Sequence, residues 1–334
     1  MERRKVQVTG GSTFTVSIPK EWARRQDLEA GDEVGFHPDS ESLLLTPTPD
    51  DSTAEGTIDI TDLAGDELRR AVMTMYVSGF DRIELTGTPI ASSQRRIVRN
   101  ATQSLVGLEV LEETGDRVVV RDLLDSSELS IHTAVSRMRL ISLSMLSDAV
   151  AALQRGDHDL AREVVERDDD VDRLWFVVSR IFRSSLRSPQ VANQIGLSRE
   201  ASFDYHSSAR QLERVADHAA KISHVAQEVE GEIPVEVLDR LKTLHQDAEE
   251  IVDTAMEALF AEDPDEATGL ANDARAEVSS IGAEARSIDE LLRDLEPRQA
   301  QQIGLVVDSL SRSADYGGNI AETALQRAAP TPGP

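Results

Sequence analysis

The segment Leu212-Glu213-Arg214-Val215-Ala216-Asp217-His218-Ala219-Ala220-Lys221-Ile222 returns 98 residues later as Leu310-Ser311-Arg312-Ser313-Ala314-Asp315-Tyr316-Gly317-Gly318-Asn319-Ile320. Its apolar positions follow the helical period. A helix that recurs in this way implies a duplicated unit, so the second half of the chain is expected to be a helical bundle made of two similar parts.

The rest of that half agrees. Residues 127–327 show helical periodicity in six runs, at about 128–154, 158–186, 198–228, 235–261, 264–293 and 297–327. The breaks are Arg155-Gly156-Asp157, Ser188-Pro189, Gly231-Glu232-Ile233-Pro234, Asp263-Pro264 and Glu296-Pro297-Arg298. Asp263 before Pro264 is a strong helix start, with a capping carboxylate and proline in the first turn. The second and fifth runs begin alike, Gly156-Asp157-His158-Asp159-Leu160-Ala161 against Glu262-Asp263-Pro264-Asp265-Glu266-Ala267. Two three-helix repeats in tandem result, at 127–228 and 235–327, followed by a tail over 328–334 expected to be disordered. Aromatic residues are only 4% of the chain, which suits a bundle core of Leu, Val, Ile and Ala.

This bundle resembles the PhoU family of phosphate-uptake regulators, whose signature the Leu-Glu-Arg-Val-Ala-Asp-His-Ala segment follows and whose members are built from two three-helix units. The resemblance spans about 200 residues. It implies control of phosphate transport, docking on components of a phosphate ABC transporter, and metal binding through paired carboxylates on the bundle surface.

Residues 1–49 read as a small β domain. Val6 and Val8, then Phe14, Val16 and Ile18, alternate with polar residues in the two-residue period of half-buried strands. Pro19 ends the second strand and opens a short helix, Lys20 to Arg25. A Gly31-Asp32 turn leads to Val34, Leu43-Leu44-Leu45 closes the unit, and Thr46 to Asp51 reads as a linker. The order Val8-Thr9-Gly10-Gly11-Ser12-Thr13-Phe14-Thr15-Val16-Ser17-Ile18-Pro19-Lys20-Glu21-Trp22, then Leu28-Glu29-Ala30-Gly31-Asp32-Glu33-Val34, resembles the AbrB/MazE/SpoVT domain. In that family two chains interleave hairpins into one barrel and bind DNA, so the resemblance implies a swapped-hairpin β-barrel and a homodimer.

Charge points to the same place. The chain carries a net charge of −26. Residues 1–25 nevertheless hold Arg3, Arg4, Lys5, Lys20, Arg24 and Arg25 against only Glu2 and Glu21. A locally basic stretch in so acidic a chain is an electrostatic footprint for a phosphate backbone. These six residues and Thr13 are the candidate DNA contacts. Ion pairing at a dimer interface is the structural alternative. The overall acidity suggests a salt-adapted, haloarchaeal source, because such a charge costs stability by self-repulsion at low salt.

Between these parts, residues 56–125 read as a small α/β module with the order βαβαββ, for which a ferredoxin-like fold is the suggestion. Its strands fall near 58–60, 82–85, 108–112 and 117–121 and its helices near 66–77 and 92–106. It has no glycine-rich phosphate loop and no nucleophile motif, which leaves a connecting, dimerising or ligand-sensing role.

Candidate metal ligands need more than spacing. With 61 acidic residues in 334, chance alone gives on the order of 11 carboxylate pairs four apart. Helical phase discriminates better. At about 100° per residue, Ala209, Leu212, Val215, Ala216 and Ala219 share one apolar face, with Glu213 and Asp217 on its flank. Leu160, Val164, Val171, Leu174 and Val178 form the core face of the second helix, and Asp168 and Asp172 flank it in the same rotational sense. Glu166 and Asp170 fall on the other flank and are rejected. Asp168, Asp172, Glu213 and Asp217 therefore form the first candidate site; Asp273, Glu277 and Asp315 form a weaker second one, because Ser311 replaces the Glu. The chain has no cysteine. An all-oxygen set suits a divalent or trivalent ion (iron, manganese, magnesium, zinc or calcium), whose identity the sequence does not specify. A solvated acidic face is the alternative, and His218 reads as a surface histidine.

A ferritin-like di-metal enzyme is disfavoured, since no Glu-x-x-His motif occurs. No catalytic residue is proposed and the protein is expected not to be an enzyme. The absence of a long apolar run or a signal core points to a cytoplasmic protein without membrane insertion. The expectation is a regulator of phosphate uptake and homeostasis that negatively regulates phosphate transport and binds specific DNA as a transcriptional regulator. The alternative is a dimeric, metal-binding adaptor of the transporter that does not bind DNA.

Overall fold

The computed structural model describes residues 3–39, 42–47, 54–123, 130–188, 191–192 and 195–330. Most of the expected linker, the start of the first long helix before 130, the Pro189 break and the end of the tail lie outside them. The chain divides into two compact units, residues 1–53 and 54–334.

The first unit contains β1 (Gln7–Thr9), β2 (Thr13–Thr15), α1 (Lys20–Arg25), β3 (Val34–Asp39) and β4 (Ser42–Pro47). β1 pairs with β2 and β3 with β4, each pair antiparallel, and the two hairpins remain separate sheets. The expected barrel is therefore not closed within one chain. No described side chain of this unit is buried. Val8, Phe14 and Phe36 stand 62%, 76% and 62% exposed. Strands of three residues alternate as predicted, but among the described residues of this unit nothing covers their apolar faces.

The second unit opens with β5 (Glu55–Asp59), α2 (Gly65–Val77), β6 (Arg82–Thr86), α3 (Ser92–Gln103), β7 (Leu108–Glu113) and β8 (Arg117–Asp122). The strand order is β5-β6-β8-β7, with β5 and β6 parallel and the other pairs antiparallel. The βαβαββ reading holds, but a ferredoxin-like module runs βαββαβ, so that suggestion is corrected. The single crossover through α2 makes β5 and β6 neighbours, and the β7–β8 hairpin then adds at the other side. Ile60, Leu68, Val72, Tyr76, Ile83 and Val98 fill its core.

Six long helices follow: α4 (Ile131–Arg155), α5 (His158–Arg187), α6 (Arg199–Glu228), α7 (Val235–Phe260), α8 (Pro264–Leu292) and α9 (Pro297–Ala328). Their starts have physical causes. Asp157 and Asp263 each cap two backbone N–H groups of the first turn, and Pro264 sits in the first turn of α8. Gly156 ends α4 with φ +61°, the left-handed C-cap that glycine adopts without strain. α4, α5 and α6 form one three-helix unit and α7, α8 and α9 another. They join where α4 meets α7 and α6 meets α9, and one continuous core of aliphatic side chains runs through all six helices. No helix of the described residues is long and apolar enough to cross a membrane.

The α/β module does not separate from the bundle. Arg180 of α5 is 7% exposed and reaches into the module. Its Nη1 donates to the carbonyls of Tyr76 and Phe80 at 2.8 and 2.9 Å. Its Nη2 pairs with Asp81 at 2.7 Å and with Asp122 at 2.8 Å. The guanidinium also lies 4.9 Å from the centre of the Tyr76 ring. Gly79, at φ +82°, allows the turn after α2 to approach Ser184, whose Oγ would lie 2.7 Å from an added Cβ.

Candidate functional site

The core faces read from helical phase are those the bundle uses. Val164, Val171 and Val178 of α5 and Ala209, Leu212, Val215, Ala216 and Ala219 of α6 are fully buried. Leu160 and Leu174 pack partly buried against the same core. Packing α5 on α6 along these faces carries the flanking acids into one seam. Each acid there acts on the others. The Asp168 carboxyl is pushed up to about 6, first by burial and then by Asp217 and Asp172. Asp172 is likewise pushed up to about 6, by burial, Asp217 and Asp169. Glu213 is only 8% exposed and is pushed up to about 7. Burial is the main cause there too, opposed by Arg210 and reinforced by Asp217 and Asp172.

The seam is only partly neutralised. Arg210 Nη1 donates to Glu213 Oε1 at 2.6 Å while its guanidinium lies 5.3 Å from the centre of the Trp175 ring. Glu213 Oε2 is buried with no hydrogen-bond partner. Lys221 counters Asp168, and Arg69 of the α/β module counters Asp172. An orphaned buried carboxylate oxygen among raised acids suits a hard cation electrostatically. The coordination does not follow: among the described residues no group of three or more Asp, Glu or His side chains is arranged to hold a metal ion. The seam as it stands is an acidic patch, not a preformed coordination shell. Of the rejected acids, Glu166 is exposed and Asp170 pairs with Arg173 at 3.3 Å.

The second candidate site is distributed differently. Glu277 of α8 is raised by burial and then by Glu250, Asp247 and Asp273. Glu277 thus feels Asp247 and Glu250 of α7, two acids that the sequence reading did not select. Asp315 of α9 is exposed and lies 3.9 Å from Arg312. Ser311 donates its hydroxyl to the Val307 carbonyl of its own helix at 2.8 Å. Arg275 of α8 pairs with Glu322 of α9 at 2.5 Å, an ion pair between helices, whereas the Arg210–Glu213 pair of the α5–α6 seam lies within α6.

His218 departs from its sequence reading. It is 8% exposed, its Nε2 lies 3.3 Å from the Tyr316 hydroxyl, and burial holds its pKa down at about 4. The two residues occupy equivalent places in the repeated segments, so the duplicated helices α6 and α9 meet through their own equivalent positions. The repeat itself was the available signal, because a helix pair related by a two-fold places matching residues face to face. Arg180 was also missed. Its position among Val177, Val178 and Ile181 gave it a core phase, the one sequence sign that its charge would need partners.

In the first unit Arg3, Arg4, Lys5, Thr13, Lys20, Arg24 and Arg25 are all exposed. Lys20, Arg24 and Arg25 belong to α1, and Thr13 stands opposite Thr9 at the end of the first hairpin.

Among curated proteins the chain is similar to a phosphate-specific transport system accessory protein PhoU homologue of Clostridium acetobutylicum, 21% identical over 214 residues, covering 62% of this chain and 94% of the relative. Among solved structures it is similar to PhoU from Pseudomonas aeruginosa, with a TM-score of 0.51 and 24% identity over 60% of this chain and 96% of that one, a likeness of fold. Residues 135–226 match the PhoU domain model and residues 7–53 the model of the MazE bacterial antitoxin, for antidote–toxin recognition, so a MazE-like match in the N-terminal unit precedes a PhoU-like match in the bundle.

Proposed function

We propose that the protein regulates phosphate uptake, with the helical bundle as the part that acts on a phosphate-transport system and the N-terminal unit as a dimeric DNA-binding element. The observation that carries the first half is the PhoU domain match, lying within a bundle of two three-helix repeats and supported by the transport-accessory relative. The second half rests on the first unit's surface. It exposes Phe14, Phe36 and Leu43, which a second copy would cover, and it presents six basic side chains in a chain of net charge −26. A folded hairpin pair with no buried residue gains its core by pairing.

Metal binding at the α5–α6 seam belongs to the same reading. Asp168, Asp172, Glu213 and Asp217 would hold a hard cation once their side chains turn toward it, and its charge would replace the protons that the raised pKa values call for. The reading is regulatory: the acids flank the buried core faces of α5 and α6, and a cation there would act on the packing of the two helices.

The full-length protein, purified in high-potassium buffer, should bind DNA from upstream of phosphate-transport operons with a steep salt dependence. Arg3→Ala with Arg4→Ala should weaken that binding uniformly and leave the dimer intact. A dimer that binds no such DNA at any salt concentration would favour the transporter adaptor, a reading that the overall acidity supports.

A further inference from the structure

A pocket of about 360 Å³ lies where α2 of the α/β module meets α5 of the bundle. Its apolar surface comes from Met73 and Val77 on one side and Phe176 on the other, and all three also pack against the module core. Arg70 and Arg183 stand at its rim, Thr74 adds a hydroxyl, and no acid lines it. Neither arginine makes an ion pair or hydrogen bond among the described residues. Two forked guanidiniums beside apolar surface match an oxyanion attached to a flat or apolar body. The volume falls within the range of small-molecule sites.

We propose that this pocket binds a phosphate monoester with an apolar or aromatic body, of mononucleotide size. Arg70 and Arg183 would grip the phosphate, and the body would lie on Met73, Val77 and Phe176. The position gives the site a consequence. Arg183 is one helical turn beyond Arg180, the residue that locks the module onto the bundle, and Arg187 of the next turn donates to the Ser78 carbonyl at the end of α2. A ligand that bridges Arg70 and Arg183 would tighten the same joint and stabilise the module against the bundle.

The test is calorimetric titration of the full chain with AMP, GMP, UMP and phenyl phosphate, with adenosine and inorganic phosphate as separate arms. At least one monoester should bind saturably, and adenosine and inorganic phosphate should bind at least roughly tenfold more weakly. Arg183→Ala and Arg70→Ala, both exposed positions, should each weaken it by about 10- to 100-fold. Thr74→Glu, which places a carboxylate in the pocket, should abolish it. Failure of all four monoesters, binding that survives all three variants, or inorganic phosphate binding as tightly as the best monoester would each overturn the proposal.

Discussion

Asp168 illustrates how one side chain's chemistry depends on its neighbours. Its pKa in the folded chain, about 6, stands above the ordinary value near 3.8. Ionising it therefore costs more in the folded state than in the unfolded one, and its contribution to stability is present below pH 4 and lost as the pH rises through 6. In chelator-treated protein Asp168→Asn should therefore stabilise the fold at pH 7.5, by on the order of 1 kcal/mol after allowance for solvent screening of a half-buried group. The gain should vanish near pH 4. Thermal melts of the two proteins across that range would check it, and a gain independent of pH would show that Asp168 does not share charge with Asp217 and Asp172. The comparison has to be made between variants. His206, His218 and His245 are each held down at about 4 by burial, so the whole chain loses stability through them as the pH falls, in the opposite sense.

Arg180 is the other decisive residue. Removing its guanidinium takes away the cation that pairs with Asp81 and with the Asp122 side chain, 6% exposed, and the donor to the Tyr76 and Phe80 carbonyls. Arg180→Ala should cost about 3–5 kcal/mol, the range for removing one partner of a buried ion pair. Amide exchange should rise first at the module face, around Tyr76 to Asp81. Exchange that rises only in the bundle would show that the module does not depend on this contact.

At the scale of elements, the close approach of α7 and α9 depends on Gly317. A Cβ there would lie 2.8 Å from Ile251 Cγ2 and 3.0 Å from the Val252 backbone nitrogen. A backbone atom cannot rotate away as a side chain can, so the helices must part. Gly317→Val should destabilise by about 1–3 kcal/mol, through overpacking. Gly318→Ala one residue on, where the nearest atom is a Val278 methyl at 3.2 Å, should cost less. Denaturant midpoints of the two variants would order them, and equal effects would deny the backbone contact its role. The helices themselves were legible because their periodicity, caps and prolines are local. Partner choice was not. The repeat paired Asp273 and Glu277 with Asp315, whereas the acids that act on Glu277 from a neighbouring helix are Asp247 and Glu250 of α7. Phase fixes which face an acid occupies on its own helix, and packing decides which helix that face meets.

For the whole molecule, a net charge of −26 makes ionic strength a folding variable. Self-repulsion among exposed carboxylates is screened within a Debye length, about 10 Å at 0.1 M salt. Lowering salt should therefore reduce the melting temperature of the chain, in keeping with the proposed salt-adapted source. A melting temperature that rises on desalting would count against it. Salt acts oppositely on the proposed DNA contacts, which it weakens.

The sequence alone determined the helical half, its duplication, the apolar faces of its helices and the basic character of residues 3–25. All of these depend on residues near one another in the chain. Tertiary structure decided the rest. It buried His218 against its repeat partner Tyr316, joined the α/β module to the bundle through Arg180, and left the N-terminal hairpins as two open sheets. Each of these depends on what lies across a contact between elements distant in sequence, and helical and strand periods carry no record of that partner.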